Sequence, residues 1–481
     1  MEPMITVSGL RGEIGVTLTP FVAIRYAAAY SASCDGTGPF VIASDGRGSA
    51  AMLSAAVRAG LHAVGRSTID AGVCATPTVG VLVRSLGAAG GIQISASHNP
   101  ANYNGMKLFS AVGRVIPSGP GAGVLARYRA MRDGTEPIAW VTHDRLGADI
   151  AVPADPDASH LVAVLATLDV EAIRKRQYRV LLDANHGAGG RLGKKLLESL
   201  GCRVTVLGET PDGRFAHTPE PTAENLVTVL AAVTENGAAI GFCQDPDADR
   251  LAIIDENGRY IGEEYTVAIC AKHVLTPRAN PVNGDGMNGG NAFDSSGMRR
   301  HGAVVTNCST SRMTERIAAT AGVPFFRSAV GEANVVDRML KAGAVFGGEG
   351  NGGPIDPLVG LVRDSFVGMG IILDAMASRD LPVSQLADEI PPTAIVKTKL
   401  PLAAGGEIAT VFDRLEHAFP EATADRLDGL RLDWSNGDWL LLRASNTEPI
   451  VRAVAEAATE SDAARLCARV HELLTDPDGK H

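Results

Sequence analysis

Two apolar runs, Ala239-Ile240-Gly241-Phe242-Cys243 and Leu251-Ala252-Ile253-Ile254, enclose Gln244-Asp245-Pro246-Asp247-Ala248-Asp249-Arg250. The first run reads as a buried strand. Three carboxylates therefore sit where one strand leaves the core and another re-enters it. Alternating with non-ligating residues, they can converge on one side of a bend. Such a cluster repels itself unless a cation lies within it, and hard oxygen ligands suit Mg²⁺. A solvated acidic loop fits poorly between two apolar runs. An EF-hand, suggested by Glu256 at the twelfth position from Asp245, fails at the sixth. There Arg250 replaces the required Gly, and the flanks read as strands rather than helices.

A second stretch, Ser95-Ala96-Ser97-His98-Asn99-Pro100, follows the strand pattern Ile92-Gln93-Ile94. Small residues and a Pro end that strand, placing Ser97 on a tight loop beside His98. Tyr103-Asn104-Gly105-Met106-Lys107 reads as a turn followed by a cation. Hydroxyl, imidazole and ammonium within about ten residues suit a phosphorylatable nucleophile. The six residues alone read better as an ordinary polar turn, since Ser, Asn and Pro are common turn formers.

Elsewhere strands alternate with helices, which predicts parallel α/β sheets. Helices are expected over residues 20–30, 50–59, 79–85 and 119–133, with strands at 40–43 and around 68–70. Asp45 and Arg47 follow the strand at 40–43 without an assigned role. A stretch without clear periodicity, 137–156, marks the first boundary. Asp183-Ala184-Asn185-His186-Gly187-Ala188-Gly189-Gly190 reads as a close strand-to-helix turn, its glycines structural. Gly348-Glu349-Gly350-Asn351-Gly352-Gly353 spells a dinucleotide fingerprint, but Pro354 and Pro357 oppose the helix it requires. Residues 380–401 hold four prolines and read as the last linker. Arg443-Ala444-Ser445-Asn446-Thr447-Glu448-Pro449-Ile450-Val451-Arg452 combines two guanidiniums and two hydroxyls, which suits a phosphate cradle. No role is read for the Gly- and Asn-rich residues 280–291.

A chain of 481 residues exceeds one ordinary core. A net charge of −10 without a basic run argues against nucleic acid. No apolar stretch is long enough to span a bilayer. Seven scattered cysteines, never spaced Cys-x-x-Cys, fit reduced thiols in a cytoplasm.

These motifs together resemble the α-D-phosphohexomutases, the family of phosphoglucomutase, phosphomannomutase and phosphoglucosamine mutase. The resemblance rests on Ser-Gly-x-Arg-Gly at Ser8 to Gly12, the serine loop with its Tyr-Asn-Gly-x-Lys, and Asp-x-Asp-x-Asp-Arg. It also rests on the sugar loop at Glu349 and the phosphate loop at Arg443 to Arg452, all in family order. Pro211-Asp212-Gly213-Arg214-Phe215 resembles a family scaffold loop. The sugar loop departs from the commonest form, with Asn351 for Ser and Gly353 for His, and looks like the archaeal-type variant.

The resemblance implies four domains around a central cleft: three similar α/β domains and a smaller C-terminal α+β domain. The expected divisions are 1–150 with the phosphoserine loop, 151–256 with the metal loop, 257–379 with the sugar loop and 380–481 with the phosphate loop. It implies a phosphohexomutase that moves a phosphoryl group between C1 and C6 of a hexose phosphate through phosphorylated Ser97. A hexose 1,6-bisphosphate would be intermediate and activator. Arg11, His98, Lys107 and Arg250 would assist catalysis. Mg²⁺ would lie on Ser97, Asp245, Asp247 and Asp249. Glu349 and Asn351 would hold sugar hydroxyls, and Arg443, Ser445, Asn446, Thr447 and Arg452 the distal phosphate. The first expectation for the substrate is glucosamine phosphate, with mannose or glucose phosphate as the alternative. A non-catalytic sugar-phosphate binder and a phosphatase are the other classes weighed. The expected assembly is a monomer or homodimer.

Overall fold

The computed structural model describes residues 2–6, 9–276, 302–401, 408–444 and 450–475. Ser8, residues 280–291 and the hydroxyl residues Ser445 and Thr447, with Asn446, lie outside them.

Four sheets organise the chain. The first has six strands in the order Met4–Thr6, Gly9–Glu13, Tyr103–Ser110, Gly90–Ile94, Phe40–Ser44, Thr68–Val73. The last three are parallel, as the alternation with helices predicts. The other pairings are antiparallel, so the sheet is mixed. The reason is connection length: eight residues, 95–102, join Gly90–Ile94 to Tyr103–Ser110, too few for a parallel crossover. The segments around Arg11 and Lys107, read from sequence as loop and turn, are thus strands. Gly and Asn lower their strand propensity, and pairing across the sheet overrides it.

The second sheet runs Leu251–Asp255, Ile240–Gln244, Arg179–Asp183, Arg203–Leu207. Its first two strands form an antiparallel pair, and the acidic loop is their connection. The turn after Asp183 packs against that loop, with the Ala188 amide donating to the Pro246 carbonyl at 2.8 Å. A Cβ on Gly187 would lie 2.5 Å from the same oxygen, so the close approach requires glycine.

The third sheet runs Phe325–Ser328, Val304–Asn307, Phe346–Glu349, Gly353–Ile355. Gly353–Ile355 returns antiparallel along Phe346–Glu349. No helix follows the glycine run, so the dinucleotide pattern fails as expected. Helix Ser365–Arg379 is buried on every residue from 365 to 377. Such an all-round apolar helix belongs inside a core. It packs on Glu263–Leu275 of its own unit and on Val170–Arg176 and Gly189–Ser199 of the second. The second and third units thereby share one apolar core.

The fourth sheet is antiparallel, in the order Ala394–Pro401, Ile450–Ala457, Trp439–Ala444, Leu430–Asp433, Thr423–Asp425. Helices Ile408–Ala418 and Glu460–Thr475 pack together over it. Residues 380–401, expected as a linker, hold helix Val383–Asp388 and the edge strand Ala394–Pro401. Their prolines punctuate rather than break these elements: Pro382 caps the helix and Pro401 ends the strand. Among the described residues no helix is long and apolar enough to cross a membrane.

Candidate active site

A cleft of about 440 Å³ is lined from all four units. Arg11, Ser97 and Lys107 come from the first, and Arg250 from the second. Glu349, Asn351 and Arg363 come from the third, and Arg443 and Arg452 from the fourth. Every described candidate except His98, which sits beside Ser97, therefore lines the cleft or belongs to the acidic loop.

Ser97 is buried and holds φ +50°, the left-handed region, where a non-glycine residue is uncommon. Its hydroxyl donates to Asp245 Oδ2 at 2.7 Å and lies 3.3 Å from His98 Nδ1. Arg250, burial and Arg11 push the His98 imidazole down to about 2, so it is neutral at working pH. Lys107 Nζ reaches Asp249 at 2.7 Å and Asp247 at 3.2 Å. Its strand pairs Lys107 with Gly9, two residues before Arg11 on the neighbouring strand.

Oxygens of Asp245, Asp247 and Asp249 lie within 4.8 Å of one another, all three residues buried. Burial, together with Asp247 and Asp249, pushes the Asp245 carboxyl well up. Burial also acts against ionised Asp247 and Asp249. Lys107 and the Thr76 hydroxyl nonetheless hold Asp247 below the usual range, and Arg363 and Lys107 do the same for Asp249. Asp247 Oδ1 and Asp249 Oδ1 are buried without a hydrogen-bond partner. Orphaned carboxylate oxygens in a convergent trio fit a hard divalent cation.

Glu349 accepts from Asn307 Nδ2 at 2.7 Å, the Gly331 amide at 3.0 Å and Arg363 Nη1 at 2.8 Å. Asn351 Oδ1 is buried and has no donor. The variant Gly353 is explained by Arg363: a Cβ there would lie 2.4 Å from the Arg363 Cδ. Arg363 is the main residue missed in the sequence. Its guanidinium bridges Asp249 at 2.6 Å, Glu349 at 2.8 Å and Glu332 at 3.4 Å. Only its neighbour left a signal, because Asp364 before an apolar helix reads as an N-cap. Asp364 accepts the Phe366 and Val367 amides and pairs with buried His160 at 2.7 Å.

In the fourth unit Arg443 lies directly opposite Arg452 across two strands, and Arg452 opposite Lys399. Like charges directly opposed destabilise a sheet. An anion shared between them would relieve that repulsion.

Glu264 also lines the cleft, 16% exposed, with Lys397 3.9 Å away. Burial pushes its carboxyl from 4.5 up to about 8. The folded protein thus keeps a proton that the unfolded chain loses above pH 4.5. This group's contribution is full below that pH and declines as pH rises to about 8. Glu264→Gln keeps an acceptor for the Ser311 amide. It is expected to raise Tm by about 1–3 °C at pH 8 and to leave it unchanged at pH 4.5. Thermal unfolding of both proteins across that range checks this.

Four family profiles match the chain. They are described as phosphoglucomutase/phosphomannomutase alpha/beta/alpha domain I over residues 4–132, domain II over 158–258, domain III over 264–394 and C-terminal domain over 407–473. A phosphoglucomutase/phosphomannomutase of Thermococcus kodakarensis is 34% identical, covering 95% of this chain and 94% of that protein. A probable phosphoglucosamine mutase of Methanothermobacter thermautotrophicus is 29% identical, covering 98% of each. Among solved structures, a phosphoglucomutase/phosphomannomutase family protein from Burkholderia thailandensis superposes with a TM-score of 0.80. It is 25% identical and covers 99% of both chains.

Proposed function

We propose, from the premise that this chain belongs to the phosphoglucomutase/phosphomannomutase family and is a phosphohexomutase, that its substrate is glucosamine phosphate and its phosphoryl carrier Ser97. The observation that carries the reading is the Ser97 hydroxyl 2.7 Å from Asp245 in a cleft whose far wall holds Arg443 and Arg452. The carrier and a distal anchor are what a bisphosphate needs if it must present either end to one serine.

Phosphorylated Ser97 gives its phosphoryl group to the free sugar hydroxyl, and the Oγ–P bond breaks as the new O–P bond forms. The resulting hexose 1,6-bisphosphate turns over and returns its other phosphate to Ser97. The sugar hydroxyl gives up its proton as its oxygen takes the phosphoryl group, and the departing Ser97 oxygen gains one. The neutral His98 imidazole, 3.3 Å from Ser97 Oγ, would carry that proton, and the freed Ser97 hydroxyl then donates to Asp245. Arg11 and Arg250 line the cleft with fixed positive charge, and Lys107 holds Asp247 and Asp249 in place. Asp245, Asp247, Asp249 and Ser97 would hold Mg²⁺, which when bound offsets negative charge on a transferring phosphoryl group. Glu349 and Asn351 are positioned for sugar hydroxyls, Asn351 with its acceptor still free.

Three features support the amino sugar: the Gly-Glu-x-Asn-Gly-Gly loop, the carboxyl oxygens of Glu264 and Glu332 in the cleft wall, and the unpaired Asn351 oxygen. An ammonium offers three donors to such acceptors. Side-by-side assays of glucosamine, glucose and mannose 1-phosphates test this, and glucosamine 1-phosphate should show the highest kcat/KM. A tenfold preference for glucose or mannose phosphate would move the assignment to that sugar. Release of inorganic phosphate instead of isomer would mark a phosphatase. None of the seven cysteines forms a disulfide, which supports a reducing, cytoplasmic setting.

Arg443→Ala tests the anchor. Anchoring felt equally in ground and transition states changes KM more than kcat. A charge-assisted phosphate contact contributes roughly 1.5–3 kcal/mol, so KM should rise about ten- to a hundredfold. Need for added hexose bisphosphate should rise with it. A fall in kcat at unchanged KM would refute the anchoring role.

A further inference from the structure

Two motifs that carried no catalytic role in the sequence, Asp45-Gly46-Arg47 and Pro211-Asp212-Gly213-Arg214-Phe215, meet beneath the serine loop. Arg47 is 2% exposed and uses all five guanidinium N–H groups. Nη1 donates to the Pro100 and Tyr103 carbonyls at 2.6 and 3.1 Å. Nη2 donates to the Ser97 and Asn99 carbonyls at 2.6 and 2.7 Å. Nε donates to Asp45 Oδ2 at 2.9 Å. That same carboxylate oxygen accepts the Ser95 hydroxyl at 2.7 Å, and Ser95 Oγ accepts the Ser97 amide at 2.8 Å. The loop carrying Ser97 is therefore held at its carbonyls by Arg47 and at its amide through Ser95 and Asp45.

The second domain closes this frame from behind. The Phe215 ring centroid lies 4.9 Å from the Arg47 guanidinium carbon. The backbones touch: a Cβ on Gly213 would lie 2.6 Å from Arg47 Cα, and one on Gly46 2.5 Å from the Pro211 carbonyl oxygen. Both glycines have positive φ, +68° and +90°. Packing this tight leaves Arg47 one position.

We infer that Asp45, Arg47 and Ser95 form a positioning frame that fixes Ser97 in its left-handed conformation and aims its oxygen at the metal loop. A non-glycine residue at φ +50° is strained and persists only where its surroundings over-determine it. Here four loop carbonyls and one amide are bound to the frame. Lysine cannot replace the arginine, because three donors on a point charge cannot span four carbonyls and a carboxylate. Arg47 lies outside the cleft lining, and Ser95 lines it beside Ser97 rather than at Arg443 and Arg452, so their loss acts on the chemical step and spares the distal anchor.

The inference rests on Ser97 as carrier, and the test separates the two. Wild type and the variants Arg47→Met, Arg47→Lys and Ser95→Ala are charged with glucose 1,6-bisphosphate, and Ser97 phosphate is followed by mass spectrometry with and without sugar. Arg47→Met should lower kcat about a hundredfold with KM within about twofold, the scale expected of a nucleophile misplaced by about 1 Å. Its phosphoserine should lose phosphate to water several times faster than wild type, a change that loss of stability alone would not cause in folded protein. Arg47→Lys and Ser95→Ala should each lower kcat about tenfold. If Arg47→Met does not fold, these two decide. A kcat within threefold of wild type in the folded variants, or a raised KM at unchanged kcat, overturns the frame. Absence of phosphate on wild-type Ser97 would overturn the carrier instead.

Discussion

Ser97→Ala should lose mutase activity by about 10⁴-fold or more, the scale seen when a covalent nucleophile is removed. The variant should still fold. Alanine at φ +50° bears much the same backbone cost as serine, and the loop remains held by Arg47. Asp245 loses one donor but keeps the Arg250 amide at 3.1 Å. The variant should take no phosphate from a hexose bisphosphate, whereas phosphopeptide mapping of active wild type should find phosphate on Ser97. Undiminished activity in Ser97→Ala would remove the serine from the mechanism. Loss of activity with a collapsed melting transition would be a folding defect, so thermal unfolding is measured on the same sample.

The second large effect concerns the acidic loop. Asp247→Asn should cut turnover by about 10²–10⁴-fold and weaken Mg²⁺ binding in a calorimetric titration. Excess chelator should do the same to wild type, reversibly on adding Mg²⁺. Without metal, Asp247 and Asp245 should differ in stability. Asp247 is held low by Lys107 and Thr76 despite burial, so its charge supports the fold above the unfolded carboxylate range and that support is lost as pH falls. Asp245 is pushed up by burial and its two neighbours, so its charge opposes the fold as pH rises. Metal-free Asp247→Asn should therefore melt below wild type at pH 7, and metal-free Asp245→Asn at or above it. Both should be poor enzymes. Full activity of Asp247→Asn, or of wild type in chelator, would count against the metal site.

The arrangement explains why a buried trio of acids is tolerated. Lys107 from the first domain and Arg363 from the third both bind Asp249, and Lys107 also binds Asp247. The acidic loop thus gains both cross-domain cations only when three domains are assembled. The second and third of these domains also share one apolar core.

What the sequence determined by itself was local. Two apolar runs around three aspartates required a strand–loop–strand, and the structure has that hairpin. The strand before Ser95 and the Pro after it required a loop at Ser97, and the loop is there. Prolines after the glycine run ruled out a nucleotide-binding helix, and an antiparallel strand took its place. These inferences held because periodicity, turn chemistry and proline act over a few residues. Tertiary structure alone decided what crosses the chain. Arg11 and Lys107 became strand residues, since a short connection forces antiparallel pairing that weak propensity does not announce. Arg363 reached Asp249 over 114 residues of sequence, and Arg47 found its four carbonyls more than 49 residues away. Their side chains carry no periodic signature, because an arginine's partners are set by where distant loops converge. Local free energies wrote the motifs, and long-range packing gave them their partners.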